Sequence, residues 1–247
     1  VLLLLVERVL ERARPSDLAL AALACAAMVL AGHPQTAVHS GIALAVWAAA
    51  RLAWRDPGEA GRARVLLAGG LLAALAAGIA CAQVLPTLDL AGLSVRSDGM
   101  TSAERLRMHA TPQMLAAVVV PSAFGTTGAG THWLSPGGYT RMGLDVFLGG
   151  PALVLAILGA VRGRGRAAVL WTLLAGGFVL LSLGPLTPLA GALFDLPVVR
   201  NLRCPDRFGL QAQAFLAFLA AAGLDAVRTR RVRWPAVDDG AVCGGIL

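Results

Sequence analysis

Three arginines stand close together just before an apolar run, in a pattern suited to binding an anion. Arg200, Arg203 and Arg207 fall within eight residues. The planar guanidinium group donates several hydrogen bonds in a fixed geometry that matches a phosphate. Arginines at this point could instead anchor the chain among lipid headgroups. The cluster is therefore a candidate site for a lipid-linked phosphate, with headgroup anchoring as the alternative.

A second candidate is the short polar sequence Gly32-His33-Pro34-Gln35, which follows an apolar run. An imidazole and an amide at this place could bind a sugar hydroxyl or a phosphate oxygen. The alternative is a polar turn that satisfies only its own backbone at a helix end. His39 lies six residues after His33, and this spacing does not put both side chains on one helical face. A two-histidine metal site is therefore not expected.

A carboxylate for general-base catalysis could come from six acidic residues, but their spacing singles out no pair. These residues are Asp89, Asp98, Glu104, Asp145, Asp195 and Asp206. The sequence contains no serine-hydrolase elbow, phosphate loop, zinc signature or dinucleotide fingerprint. We therefore expect no cofactor; a divalent metal would be compatible with sugar transfer, although no residue pattern indicates one.

The chain as a whole has the composition of a membrane protein. Hydrophobic residues make up 57% of its 247 residues and charged residues 14%, and the mean hydropathy is +0.72. This is too apolar for a soluble domain with a polar shell. The net charge of +7 comes from arginines in short clusters between apolar runs, a pattern of membrane topology. We expect a lipid bilayer as partner and no nucleic acid.

Six apolar runs predict about six crossing helices, because a helix needs about 20 mostly apolar residues to span the hydrocarbon. The runs are residues 17–32, 37–54, 65–86, 143–161, 167–185 and 208–227, with residues 1–6 as the end of an earlier run. The expected fold class is an all-α polytopic transmembrane bundle, with a single domain over residues 1–247. The sequence has the character of an internal fragment of a longer protein.

The arginines predict which loops face the cytoplasm. If each run crosses once, fourteen arginines fall on one side and seven on the other. The richer side is cytoplasmic, which leaves the Gly-His-Pro-Gln turn and loops 87–142 and 186–207 outside. In the long loop, Thr101 and Glu104 form a capping-box pattern that predicts a short helix. The apolar run 114–120 is too short to cross and predicts an interfacial helix.

Several short sequences on the predicted outer side resemble, in order, the YfhO family of bacterial multi-pass membrane proteins. They are Gly32-His33-Pro34-Gln35-Thr36, then Gln83-Val84-Leu85-Pro86-Thr87-Leu88, then Pro112 through Leu115 leading to Pro121-Ser122-Ala123-Phe124-Gly125, then Leu183-Gly184-Pro185 with Pro188, and last Leu196-Pro197 running into Arg203-Cys204-Pro205-Asp206-Arg207-Phe208 and Ala221-Ala222-Gly223-Leu224-Asp225. Together they cover nearly the whole chain. The architecture of this family is that of the GT-C glycosyltransferases.

The resemblance implies a transferase in the cytoplasmic membrane of a bacterium. Such an enzyme takes a sugar from a polyprenyl-phosphate donor and passes it, outside the cytoplasm, to a cell-envelope polymer as acceptor. The resemblance assigns substrate binding to His33, Gln35, Arg203 and Arg207, and Arg200 belongs to the same arginine cluster. The catalytic acid of GT-C enzymes lies in their first outer loop, which we expect N-terminal to residue 1. A lipid-linked sugar transporter and a non-catalytic envelope assembly protein remain alternatives.

Overall fold

The computed structural model describes residues 2–12, 14–54, 61–93, 100–106, 108–112, 116, 118–120, 125, 148–163, 165–196, 199 and 202–229. Within these ranges the regular elements are all helical, which confirms the all-α prediction. The helices are α1 (Leu2–Arg12), α2 (Pro15–Leu30), α3 (Pro34–Ala53), α4 (Arg62–Gly92), α5 (Ser102–Leu106), α6 (Gly150–Arg162), α7 (Arg166–Ser182), α8 (Pro188–Phe194) and α9 (Phe208–Arg228).

Three of the described helices are long and apolar enough to cross a membrane. They are α3, α4, and α9 together with the turn before it. Helices α2, α6 and α7 are also apolar, but they have 16, 13 and 17 residues, fewer than a bilayer usually requires. Each of the six predicted runs thus contains a helix, and three have the properties of a crossing helix. Six crossings and the sidedness of the loops stay predictions.

Proline and glycine set several helix boundaries. Pro15, Pro34 and Pro188 each occupy the first position of a helix, where the missing N–H costs no hydrogen bond and the fixed φ suits the helix. Gly32 has a φ of 78° between α2 and α3, a backbone conformation that glycine adopts without steric cost. This sharp turn places His33 at the start of α3.

Helix α4 continues further than the sequence predicts. It runs through Pro86 to Gly92, so the predicted loop begins later than residue 87. Proline has no N–H to bond the carbonyl of Ala82, four residues earlier, yet the helix continues. The hydroxyl of Thr87 donates to the carbonyl of Gln83 at 2.7 Å. The two residues tie together the helical turn that contains Pro86.

The predicted capping box in the long loop is confirmed. The backbone N–H of Thr101 donates to Oε2 of Glu104 at 2.8 Å, and the N–H of Glu104 donates to the Thr101 hydroxyl at 3.3 Å. These reciprocal bonds satisfy two N–H groups at the start of α5. Of the interfacial helix predicted over residues 114–120, the structure describes residue 116 and residues 118–120, where the N–H groups of Val119 and Val120 both donate to the carbonyl of Ala116, at 3.0 and 2.9 Å. Its place in the membrane interface stays a prediction, and Asp145 lies outside the described residues.

An aromatic core joins α3, α7, α8 and α9. The rings of Phe178 and Phe208 have centroids 5.8 Å apart, and those of Phe178 and Phe215 are 5.9 Å apart. Phe194 of α8 meets Phe208 edge-on at 6.3 Å, and Trp47 of α3 lies 6.5 Å from Phe215. Such ring pairs contribute beyond the area that they bury. They hold the start of α9 in the centre of the bundle, beside the start of α3.

Candidate functional site

The start of α3 and the start of α9 meet through the side chain of Arg207. Nη1 of Arg207 lies 2.9 Å from Nε2 of His33 and 3.1 Å from Oε1 of Gln35. Two of the stretches selected from sequence, more than 170 residues apart, thus share one hydrogen-bonded group. We call this side of the molecule the His33 end.

His33 links Arg207 to the first turn of α3 through both of its ring nitrogens. Nε2 faces Nη1 of Arg207, and arginine can only donate a hydrogen bond. Nδ1 lies at the N-cap of α3, 3.2 Å from the backbone nitrogen of Thr36 and 2.9 Å from its hydroxyl. His33 therefore bridges Thr36 and Arg207.

A tight turn before α9 aims Arg207. The segment Pro205–Arg207 forms a single turn of 3-10 helix, and Cys204 before it adopts a left-handed conformation with a φ of 62°. The N–H of Asp206 donates to the carbonyl of Met108 at 3.2 Å, which ties the turn to the segment after α5. A left-handed residue other than glycine is strained and is found where the surroundings enforce it. The turn thus fixes the direction in which the Arg207 side chain points, and the strain at Cys204 costs some stability.

The guanidinium group retains an unused edge in the described structure. Its contacts with His33 and Gln35 both involve Nη1, so Nε and Nη2 make none of these bonds. An edge with two parallel N–H groups is the arrangement that binds a phosphate with two hydrogen bonds. The geometry can therefore hold one oxyanion while Gln35 and His33 keep the guanidinium in place.

A second row of polar groups lies one helical turn deeper than the Arg207 group. His39 is fully buried and stacks on Phe208 with ring centroids 3.9 Å apart. Nε2 of Gln211 donates to the hydroxyl of Ser40 at 3.2 Å. In the part of the chain that the structure describes, both ring nitrogens of His39, Nε2 of Gln35 and Oε1 of Gln211 have no hydrogen-bond partner. A buried polar group without a hydrogen bond costs free energy. This row is therefore suited to bind water or a hydroxylated ligand.

The sequence interpretation missed this deeper row, although helical spacing points to it. His39 follows Gln35 by four residues and Gln211 follows Arg207 by four, so each deeper residue lies on the same helical face as its partner above. His39 was considered only together with His33 as a metal pair, and Ser40 and Gln211 were not considered. When two helix starts are candidates for one site, the residues four positions further along each helix are candidates as well.

Among the described residues, Arg203 takes no part in the hydrogen bonds of Arg207 with His33 and Gln35. Arg203 is half-buried and lies before the left-handed Cys204. Arg200 lies outside the described residues. Of the two described arginines in the cluster, Arg207 is the one that contacts His33 and Gln35.

The acidic candidates differ in how deeply their side chains are buried. Asp89, Glu104 and Asp195 are exposed, and Asp195 lies 3.3 Å from Arg105. Asp206 is only 8% exposed, and its Oδ1 has no hydrogen-bond partner among the described residues. Asp98 and Asp145 fall outside those residues. Asp206 is therefore the buried acidic candidate of the described set, and it is adjacent to Arg207 in the chain.

Metal binding finds no support in the described ranges, where no group of three or more His, Cys, Asp or Glu side chains could hold an ion.

The fold and composition define an all-helical membrane protein with a polar site at one end of its helices. No known family model, curated protein or solved structure matches the chain.

Proposed function

We propose that the chain belongs to a membrane glycosyltransferase of the GT-C type. It would transfer a sugar from a polyprenyl-phosphate donor to a hydroxyl group of a cell-envelope acceptor outside the cytoplasm. The observation that carries the proposal is the contact of Arg207 with His33 and Gln35. It brings together the two stretches that resemble the family's Gly-His-Pro-Gln and Arg-x-Pro-x-Arg-Phe sequences.

In the proposed reaction, the acceptor hydroxyl oxygen forms a bond to the anomeric carbon of the sugar. The bond from that carbon to the phosphate oxygen breaks, and its electron pair leaves with the polyprenyl phosphate. The hydroxyl proton passes to a carboxylate base. Arg207 stabilises the charge that develops on the departing phosphate.

The surroundings of Arg207 favour this role because they hold the guanidinium before the substrate arrives. Electrostatic groups that are already oriented stabilise a transition state without a cost for reorganisation. His33 and Gln35 supply this orientation, and the unsatisfied amide of Gln35 is available to a sugar hydroxyl. The polar row of His39, Ser40 and Gln211 lies beneath them.

The test measures release of polyprenyl phosphate from a labelled polyprenyl-phosphate sugar in membrane vesicles that contain the protein from its complete gene. We expect Arg207→Gln to lower the rate about a hundredfold, since one charge-assisted contact to the developing phosphate charge is lost. Arg228→Gln is the matched control, because Arg228 is an exposed arginine at the opposite end of the same helix. Its release rate should equal that of the unaltered protein.

Two outcomes would count against the transferase. Release that proceeds equally in Arg207→Gln and Arg228→Gln would remove Arg207 from the reaction. No release with any sugar donor and acceptor, from protein that is inserted and folded, would favour a lipid-linked sugar transporter or a non-catalytic assembly protein.

A further inference from the structure

A long groove runs along α3 towards the end of the bundle opposite His33. Its volume is about 1080 Å³, and its walls come from α1, α3, α7 and α9. The lining extends along α3 from Thr36 to Trp54, the residue that follows the helix, which is eighteen helical steps or roughly 27 Å. This length is close to the thickness of the hydrocarbon layer of a bilayer.

The groove is apolar and open at its side. Leu4, Leu210 and Phe218 belong to its lining and are 57%, 40% and 37% exposed. Trp47 and Trp171 form a flat part of the wall, with their rings nearly parallel and 6.3 Å between centroids. Exposed apolar walls of this kind face lipid chains when the helices lie in a membrane. A hydrocarbon chain therefore has access to the groove from the bilayer.

The two ends of the groove differ in charge. At the His33 end its polar lining residues are the uncharged Thr36, Ser40 and Gln211. At the other end the lining includes Glu7, Arg51 and Arg166, and we call this the Glu7 end. The charged mouth of the groove is thus at the Glu7 end.

The described residues of the Glu7 end carry a net positive charge. Glu7 and Arg51 form an ion pair with 2.6 Å between Oε1 and Nη2, so their charges largely cancel. Arg166 is exposed, and its Nη1 donates to the backbone carbonyl of Trp54 at 3.2 Å. A carbonyl carries no charge, so among the described residues of the mouth Arg166 supplies a positive charge that suits an anion at the lipid surface.

We propose that the groove binds one acyl chain of an anionic glycerophospholipid, whose phosphate lies beside Arg166 at the Glu7 end. The apolar walls, which include Trp47 and Trp171, hold the chain, and Arg166 selects the phosphate. The groove reaches Thr36, Ser40 and Gln211 beneath the Arg207 group, but the proposed phosphate contact is at its opposite end, and the proposal does not depend on the transferase activity.

The test uses the protein from its complete gene in phosphatidylcholine vesicles with a trace of phosphatidylglycerol that carries a photoreactive acyl chain. After illumination, mass spectrometry locates the label on peptides. We expect label on α3 and α9 residues that line the groove. A photoreactive phosphatidylcholine in the same amount should label these peptides about fivefold less, which corresponds to one arginine contact with an anionic headgroup.

Two matched pairs of variants separate the groove from the rest of the helix surface. Ala214→Phe fills the groove, whereas Ala217→Phe adds the same ring at an exposed position of α9 that is not part of the lining. Arg166→Gln removes the charge at the mouth, whereas Arg162→Gln removes an exposed arginine that precedes it by four residues and does not line the groove. We expect Ala214→Phe to abolish labelling and Arg166→Gln to lower it about fivefold, with both controls unchanged.

Equal labelling in Ala214→Phe and Ala217→Phe would place the lipid elsewhere and overturn the proposal. So would equal labelling in Arg166→Gln and Arg162→Gln, because the headgroup would then not lie at Arg166. Absence of label in the unaltered protein would mean that polypeptide, not lipid, occupies the groove. None of these results alters the sugar-release assay, so the two proposals can fail independently.

Discussion

Helix α9 and helix α4 both carry glycines in apolar sequences, yet their surroundings are opposite. A Cβ on Gly159 of α6 would lie 1.9 Å from the carbonyl oxygen of Leu219 in α9, and one on Gly223 would lie 1.9 Å from the carbonyl oxygen of Leu155 in α6. In α4, a Cβ on Gly69, Gly70 or Gly78 would have no atom within 4 Å. Glycine allows the backbones of α6 and α9 to touch, whereas the glycines of α4 have open space beside them.

The difference separates a fixed part of the molecule from a lipid-facing part. Between membrane helices, association depends on close packing because lipid is as apolar as the side chains. Helix α9 has eight buried residues in its 21, and it carries the turn that aims Arg207. Helix α4 has two buried residues, Val65 and Ala80, in its 31. The candidate site therefore rests on the part of the bundle that is held most tightly.

The largest effect in this comparison is expected for the aromatic core of α9. Phe215→Ala removes a ring that is 1% exposed and stacks on Phe178, and it should lower the free energy of unfolding by about 4 kcal/mol. Leu67→Ala in α4 is the contrast, because Leu67 is 75% exposed and its change should cost less than about 0.5 kcal/mol. Reversible unfolding in mixed detergent measures both. Similar losses for the two variants would contradict the division into a fixed and a lipid-facing part.

The backbone contact between α6 and α9 should be nearly as sensitive. Gly159→Ala places a methyl group against the Leu219 carbonyl, so the two helices must separate. We expect a loss of about 3 kcal/mol in the same unfolding experiment. Gly78→Ala should be neutral or slightly stabilising, since alanine is the better helix former and the space beside Gly78 is open. An unchanged stability of Gly159→Ala would show that the helices are not in backbone contact.

These glycines differ in a way that the sequence alone does not reveal. Apolar runs and their lengths predict helices at the places where α2, α3, α4, α6, α7 and α9 occur, because hydropathy is a property of each segment. Gly159 and Gly78 are alike in sequence, and only tertiary packing separates them. The continuation of α4 past Pro86 was likewise not predicted, since proline usually ends a helix.

The candidate site shows the same limit. His33, Gln35 and Arg207 could be selected by residue type and by resemblance, but their shared hydrogen bonds depend on how α3 packs beside α9. The buried state of His39 against Phe208 also arises from this packing. The capping box of Thr101 and Glu104 was predictable in full because it lies within four consecutive residues.

The smallest expected effect lies outside both helices, in the capping box of α5. Hydrogen bonds from the Thr101 backbone and hydroxyl lower the pKa of Glu104, because they favour the charged carboxylate. A lowered folded-state pKa means that the carboxylate stabilises α5 above the ordinary pKa of glutamic acid, and that this contribution disappears as the pH falls through the lower folded pKa. Since Glu104 is exposed, the effect should be confined to α5 and leave global unfolding unchanged. An NMR titration of the Glu104 carboxyl carbon should give a pKa below the ordinary value of glutamic acid, and a smaller lowering in Thr101→Ala, which keeps the backbone N–H but loses the hydroxyl. An ordinary pKa in the unaltered protein would show that the box does not form in solution.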